Sequence, residues 1–175
     1  MTPVADAEPT IRRARVEDAD AIGRVQVETW RAAYSGLMPD EAVASFDVEA
    51  RQQLWRGWLA PDPRLRSETF VAEVGDEVVG FAAVGACRDD DGVGELYSIY
   101  LDPRHWGGGV GRALLERAEA SMLASGFPGG RLWVMEGNER AERFYQAAGW
   151  VADGGRKVDD FQGAEVVELR YSKRL

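Results

Sequence analysis

The chain has 175 residues, is 45% hydrophobic, and carries a formal net charge of −9 with one cysteine and one histidine. That length gives room for one domain with a substantial core, and the acidity, with no clustered Lys or Arg stripe, argues against nucleic acid as a partner. Cys87 is alone and so forms no internal disulfide, no apolar run approaches the roughly 18 residues needed to span a bilayer, and residues 1–9 lack the basic and apolar regions of a signal peptide, so a cytoplasmic location is expected.

No repeat or low-complexity tract marks a second unit, so residues 1–175 read as a single domain in which residues 1–9 are a loose tail. Residues 10–14 read as a short first strand. Asp18 can cap a helix whose Ile22, Val25, Thr29 and Ala33 share a face, with Trp30 and Tyr34 one turn apart beside it; that helix ends near Ser35 and Gly36. Pro39, Asp40 and Glu41 open a second helix, broken at Asp47, beyond which Leu54 and Trp58, and Trp55 and Leu59, pair at four-residue spacing. The plain reading of these aromatics is core packing. Residues 61–66 read as a loop, and residues 69–74 and 78–85 as an antiparallel hairpin turning at Gly75, Asp76 and Glu77. Cys87 follows Ala83, Val84, Gly85 and Ala86 and reads as a small strand-end residue rather than a nucleophile. Asp89, Asp90 and Asp91 read as a solvated loop; a metal would need further ligands that are not visible, so no metal site is expected.

The stretch from Gly94 onward is the most informative. Gly94, Glu95, Leu96, Tyr97, Ser98, Ile99, Tyr100 and Leu101 form a β-branched and aromatic segment of strand length that stops at Asp102 and Pro103. Val110, Leu114, Leu115, Ala118 and Met122 then fall at helical spacing. Between strand and helix, Gly107, Gly108, Gly109 and Gly111 place four glycines in five positions. Such an entrance lets backbone N–H groups point outward, and with the helix dipole it is an anion site whose usual occupant is phosphate. It is not a P-loop, because Gly111 is followed by Arg112 and Ala113 rather than Lys and Ser/Thr. Nor is it a dinucleotide fingerprint, because Arg112 or Leu114 falls at the third glycine position.

After a break at Gly126, Phe127, Pro128, Gly129 and Gly130, residues 131–135 read as a strand, and Asn138 caps a helix from Glu139 to Ala148 closed by Gly149. Asn138 and Tyr145 stand seven residues apart, nearly two turns, and so face the same way, with Phe144 expected to point inward. A final hairpin follows Trp150, irregular at Gly154 and Gly155 and alternating through Val167, Leu169 and Tyr171. His105, beside the glycine turn, reads as exposed.

These residues resemble the GNAT acetyltransferases (Gcn5-related N-acetyltransferases). That family's signature is a strand ending in aromatic, aliphatic, any residue and Pro, then Arg or Gln, two residues, Gly, one residue and Gly or Ala, then a helix. Tyr100, Leu101, Asp102 and Pro103 fit the first part and Gly109 and Gly111 the glycines. Trp106 stands where the family has Arg or Gln. The resemblance covers residues 11–171, with a second motif from Glu136 to Trp150. It implies an α/β (α+β) fold with a mixed, mostly antiparallel sheet of six or seven strands flanked by about four helices, splayed where the cofactor enters.

The resemblance further implies an acetyl-CoA-dependent N-acetyltransferase that moves an acetyl group to a primary amine by direct attack in a ternary complex. Glu95, the carboxylate on the central strand nearest the turn, would be the general base, directly or through water. Tyr145 would give a proton to the departing sulfur. Ile99, Tyr100 and Leu101 would meet the pantetheine arm as an added strand does, and Trp106, Gly107, Gly108, Gly109, Val110 and Gly111 would hold the pyrophosphate, with Arg104, Arg112 and Asn138 as further contacts. The link after the first helix borders the acceptor in this family, which nominates Trp30, Tyr34, Leu37 and Met38. The acceptor, a small-molecule amine or a peptide or protein amine, is not specified. Transfer of a longer acyl group, or a non-catalytic acyl-CoA-binding sensor or scaffold, stays open, and a homodimer is compatible with the sequence though no residue pattern specifies one.

Overall fold

The computed structural model describes residues 8–62 and 67–175, and among them it contains seven strands and five α-helices. Most of the expected tail, and the last four positions of the loop expected at residues 61–66, lie outside the described residues. The elements run β1 (Thr10–Arg13), α1 (Ala19–Tyr34), α2 (Asp40–Ala44), α3 (Val48–Leu59), β2 (Glu68–Val74), β3 (Glu77–Ala86), β4 (Gly94–Leu101), α4 (Val110–Ala124), β5 (Gly129–Met135), α5 (Glu139–Ala147), β6 (Val151–Phe161) and β7 (Ala164–Arg174). The helix count exceeds the expected four because the break at Asp47 is complete: its carboxylate accepts from the Ala50 N–H at 3.0 Å and caps α3 as a separate helix.

All strands join one sheet in the order β1-β2-β3-β4-β5-β7-β6, antiparallel except between β4 and β5. Residues 78–84 of β3 are buried, because helices cover both faces of the sheet. Val79, Ala82 and Val84 face Leu114, Leu115, Ala118 and Met122 of α4, whereas Val78, Phe81 and Ala83 pack with Ile22 and Val25 of α1 and Trp55 of α3. A third cluster joins Trp30, Tyr34 and Met38 to Phe46, Met135 and Val166.

The parallel pair is short, limited to Gly94 opposite Gly130 and Glu95 opposite Arg131. Both glycines are required by close approach: a Cβ on Gly94 would stand 2.7 Å from the Met122 sulfur, and one on Gly130 would stand 2.8 Å from the ring of Trp150. Beyond this pair β4 follows β3 and β5 follows β7, so the sheet splays. A β-bulge sharpens the divergence. Ser98 pairs with Ala83 and Leu96 with Val84, leaving Tyr97 as the extra residue. A second irregularity, between Ala152 and Arg156 of β6, coincides with the glycine pair that the sequence marked as irregular. Among the described residues no helix is long and apolar enough to cross a membrane.

Candidate active site

The gap between β4 and β5 opens into a cavity of about 690 Å³. Its wall on the β4 side carries Glu95, Ile99, Tyr100 and Leu101; α5 contributes Asn138 and Tyr145; and the turn before α4 contributes Trp106, Gly107, Gly109, Gly111 and Arg112. Because β5 leaves β4 after Glu95, the main chain of β4 beyond that point has an edge facing the cavity without a β5 partner.

The turn is built residue by residue. The Asp102 carboxylate accepts from the Arg104 N–H at 2.9 Å and opens a short 3₁₀ turn, Pro103–His105. Gly107 and Gly109 then adopt φ of 82° and 84°, left-handed values that favour glycine, and Gly109 leads directly into α4. A Cβ at either position would meet no atom within 4 Å, so these glycines serve backbone conformation and leave the helix entrance uncovered. The result is a cradle of main-chain N–H groups at the positive end of α4.

Glu95 is 1% exposed and has a dedicated partner, Arg88. The Arg88 backbone N–H donates to Oε2 at 3.1 Å, its Nε reaches both carboxylate oxygens at 3.2 and 3.3 Å, and Nη2 donates to Oε1. The guanidinium itself is mostly exposed at the cavity wall and lies 5.4 Å from the centre of the Tyr97 ring. Tyr145 is buried among Trp150 and Tyr171, and burial above all, with the neighbouring Tyr100 second, pushes its phenol well above the ordinary tyrosine range. It therefore stays protonated around neutral pH and can donate. Phe144, expected inward, is half-buried and also lines the cavity, whereas Tyr145 is the more deeply packed of the two; α5 presents adjacent positions to the cavity.

Asn138 does two jobs, capping α5 by accepting from the Ala141 N–H at 3.2 Å while lining the cavity. Several nominated residues stand elsewhere. Arg104 is exposed and spends its guanidinium on Asp102 and Glu77, Val110 packs in the core beneath α4, and Gly108 is outside the cavity lining. Of the acceptor nominees, Tyr34 alone lines the cavity. Trp30 and Met38 are buried in the third cluster, where Trp30 stacks edge-on against Phe46 and Phe161, and the exposed Leu37 leans over Gly137. His105 is half-buried rather than exposed, with its Nδ1 shielded, because the 3₁₀ turn folds its backbone onto the Asp102 carbonyl.

The sequence reading missed a set of charged lining residues. Arg140 and Arg143 join Arg112 near the glycine turn; Lys157, Asp159, Asp160 and Glu168 of the terminal hairpin line the other part of the cavity, with Phe161 beside Tyr34 at 5.4 Å. Lys157 is shared, 3.3 Å from Asp159 and 3.0 Å from Glu168, and its ammonium sits 4.6 Å from the Trp133 ring centre. Asp160 has no cationic partner among the described residues, its carboxylate accepting from the Gly163 N–H at 3.0 Å. The signal for the arginines was present as their spacing on α5; the hairpin residues gave none, since their place at the cavity depends on the sheet order.

A family model described as the acetyltransferase (GNAT) family matches residues 27–150. An uncharacterized N-acetyltransferase of Bacillus subtilis (strain 168), YuaI, is 36% identical over 143 residues, 79% of this chain and 78% of its own length. Spermidine N(1)-acetyltransferase of Thermoplasma acidophilum is 26% identical over 164 residues, 92% of this chain and 96% of its own. Among solved structures, PaiA N-acetyltransferase from Thermoplasma acidophilum in complex with coenzyme A superposes with a TM-score of 0.73 at 23% identity, covering 96% of this chain and 99% of that one, a likeness of fold. The family match covers residues 27–150, which include β4, β5, the glycine turn and α5 but not the terminal hairpin, and on that ground the chain belongs to the GNAT acetyltransferase family.

Proposed function

We propose that the protein transfers an acetyl group from acetyl-CoA to a primary amine of a cationic acceptor by direct attack in a ternary complex. The observation that carries this reading is one cavity with a glycine cradle, a buried carboxylate and a buried, protonated phenol on its walls. The residues fit coenzyme A: the cradle at Gly107 and Gly109 is open, three arginines stand near it, and the edge of β4 offers main-chain groups to an extended amide arm. Acetyl-CoA supplies the activated thioester when bound, so no nucleophile of the chain is required.

Glu95, fixed by Arg88, takes a proton from the acceptor ammonium directly or through a water, the free amine so formed attacks the thioester carbonyl, and Tyr145 gives a proton to the sulfur that leaves. Tyr34, Tyr100 and Phe161 wall the part of the cavity toward α1. Three carboxylates against one ammonium on the terminal hairpin leave that part net negative, which favours a positively charged acceptor over a neutral or anionic one. An acceptor with a second positive charge, such as spermidine, fits this balance, and a spermidine-acetylating relative makes it the first compound to test. The assay is free-thiol release from acetyl-CoA with diamines, polyamines, amino acids and a lysine peptide, alongside thermal shift with coenzyme A. Turnover concentrated on polycationic amines is expected; turnover on amino acids alone would overturn the acceptor class. A stabilising shift with no turnover on any amine would replace catalysis with acyl-CoA sensing.

A further inference from the structure

We propose that Arg140 is a phosphate-binding residue of the donor site, held in place by Trp106, and that this pair supplies the side-chain cation the turn itself lacks. The inference rests on the acetyl-CoA reading above and goes beyond it by assigning the charge. Trp106 occupies the position where the family signature has Arg or Gln, so the polar side-chain contact the signature offers at that point is missing. The indole is fixed, since its Nε1–H donates to the Leu101 carbonyl at 2.8 Å. On its face lies the Arg140 guanidinium, 4.0 Å from the ring centre.

Its lack of a partner separates Arg140 from the other arginines near the cradle. Arg112 is occupied by Glu116 at 2.8 Å and the Ala147 carbonyl at 3.3 Å, Arg143 by Glu139 at 3.0 Å, and Arg104 by Asp102 and Glu77. Arg140 makes no hydrogen bond or ion pair with a described residue, so all five of its N–H donors are uncommitted. It also lines the cavity together with Trp106, Gly107 and Gly109. A guanidinium immobilised on an aromatic face loses its conformational freedom before the ligand arrives, and stacking leaves the in-plane donors free for a forked contact with phosphate oxygens. Trp106 is then a positioning residue acting through Arg140.

Two phosphate sources fit this chemistry, the pyrophosphate and the 3′-phosphate of the cofactor. The test is titration calorimetry of coenzyme A and 3′-dephospho-coenzyme A against the full chain. Arg140→Met keeps the aliphatic bulk on Trp106 and removes the charge; it should weaken coenzyme A about ten- to a hundredfold, and Arg140→Lys should recover part of the loss. Equal loss on both ligands places the contact at the pyrophosphate, and loss on coenzyme A alone places it at the 3′-phosphate. Trp106→Leu should weaken coenzyme A in the wild-type background and add little in the Arg140→Met background, whereas Trp106→Phe, which keeps a ring face, should be milder. Arg140→Met binding as tightly as wild type overturns the inference, as do additive effects of Trp106→Leu and Arg140→Met. Failure of the wild-type chain to bind coenzyme A overturns the donor reading, and this inference with it.

Discussion

Burial decides what Tyr145 can do, and a partner decides what Glu95 can do. A phenol raised by desolvation stays protonated at neutral pH, which is the form the proposed donation to the leaving sulfur requires. Glu95, enclosed and forked by Arg88, has its carboxylate oxygens held in place at the cavity wall. Tyr145→Phe should therefore lower kcat by about 10²- to 10⁴-fold with little change in either KM, the loss typical of removing a general acid. Glu95→Gln should show a comparable kcat loss, and melting temperatures of both variants distinguish lost chemistry from lost fold, because Glu95→Gln also strips Arg88 of its counter-charge. Wild-type kcat in both variants would remove them from the mechanism. The resemblance nominated Glu95 and Tyr145, yet Arg88 was invisible: it comes from an irregular loop, and no periodicity announces which loop side chain folds back onto a strand seven residues later.

At the scale of elements, glycine carries two separate jobs that the sequence does not distinguish. The run ahead of α4 was legible because strand, glycines and helix follow one another locally. Gly94 and Gly130 were not, since their need for a missing Cβ arises from Met122 and Trp150, which reach them only once the sheet has formed around α4. The bulge at Tyr97 was likewise illegible, because alternation cannot place a bulge that shifts the face on which all later residues fall. The two jobs predict opposite phenotypes. Gly109→Ala meets open space but must hold φ near 84°, a strain of about 1–2 kcal/mol, so it should fold and bind coenzyme A more weakly. Gly130→Ala forces a methyl against the fully buried Trp150 ring and should cost about 1–3 kcal/mol of stability. Calorimetry paired with thermal melts checks both; a Gly109→Ala variant that binds normally would show that the cradle tolerates a regular backbone.

Across the whole molecule, seams of the fold are tied by carboxylates that depend on staying ionised. Asp18 accepts from Arg12 at 2.7 and 2.8 Å and from the Arg15 N–H at 2.7 Å, and Arg12 continues to Glu73 at 2.6 Å, joining β1, the entry to α1 and β2. Asp102, 1% exposed, accepts from Arg104 and lies 3.6 Å from Arg24 of α1, joining the end of β4 to the helix layer. Hydrogen bonds from Arg12 and from Arg104 are the leading causes that hold these two carboxyls below the usual aspartate range. A pKa lower in the folded than in the unfolded chain gives stability that is complete above the unfolded value, about 3.9, and disappears as pH falls through the folded value. The melting temperature should thus be nearly flat from about pH 7 to 5 and fall steeply below about 4. The net charge of −9 works in the opposite sense, because acidification relieves self-repulsion, but at 0.15 M salt the screening length is about 8 Å and contacts of 3 Å dominate over spread surface charge. Asp102→Asn should lower the melting temperature at pH 7 and make the acid limb shallower, since the asparagine has no charge to lose. Combined with Asp18→Asn, it should flatten that limb further. An acid limb as steep in the double variant as in wild type would assign the pH dependence to other carboxylates.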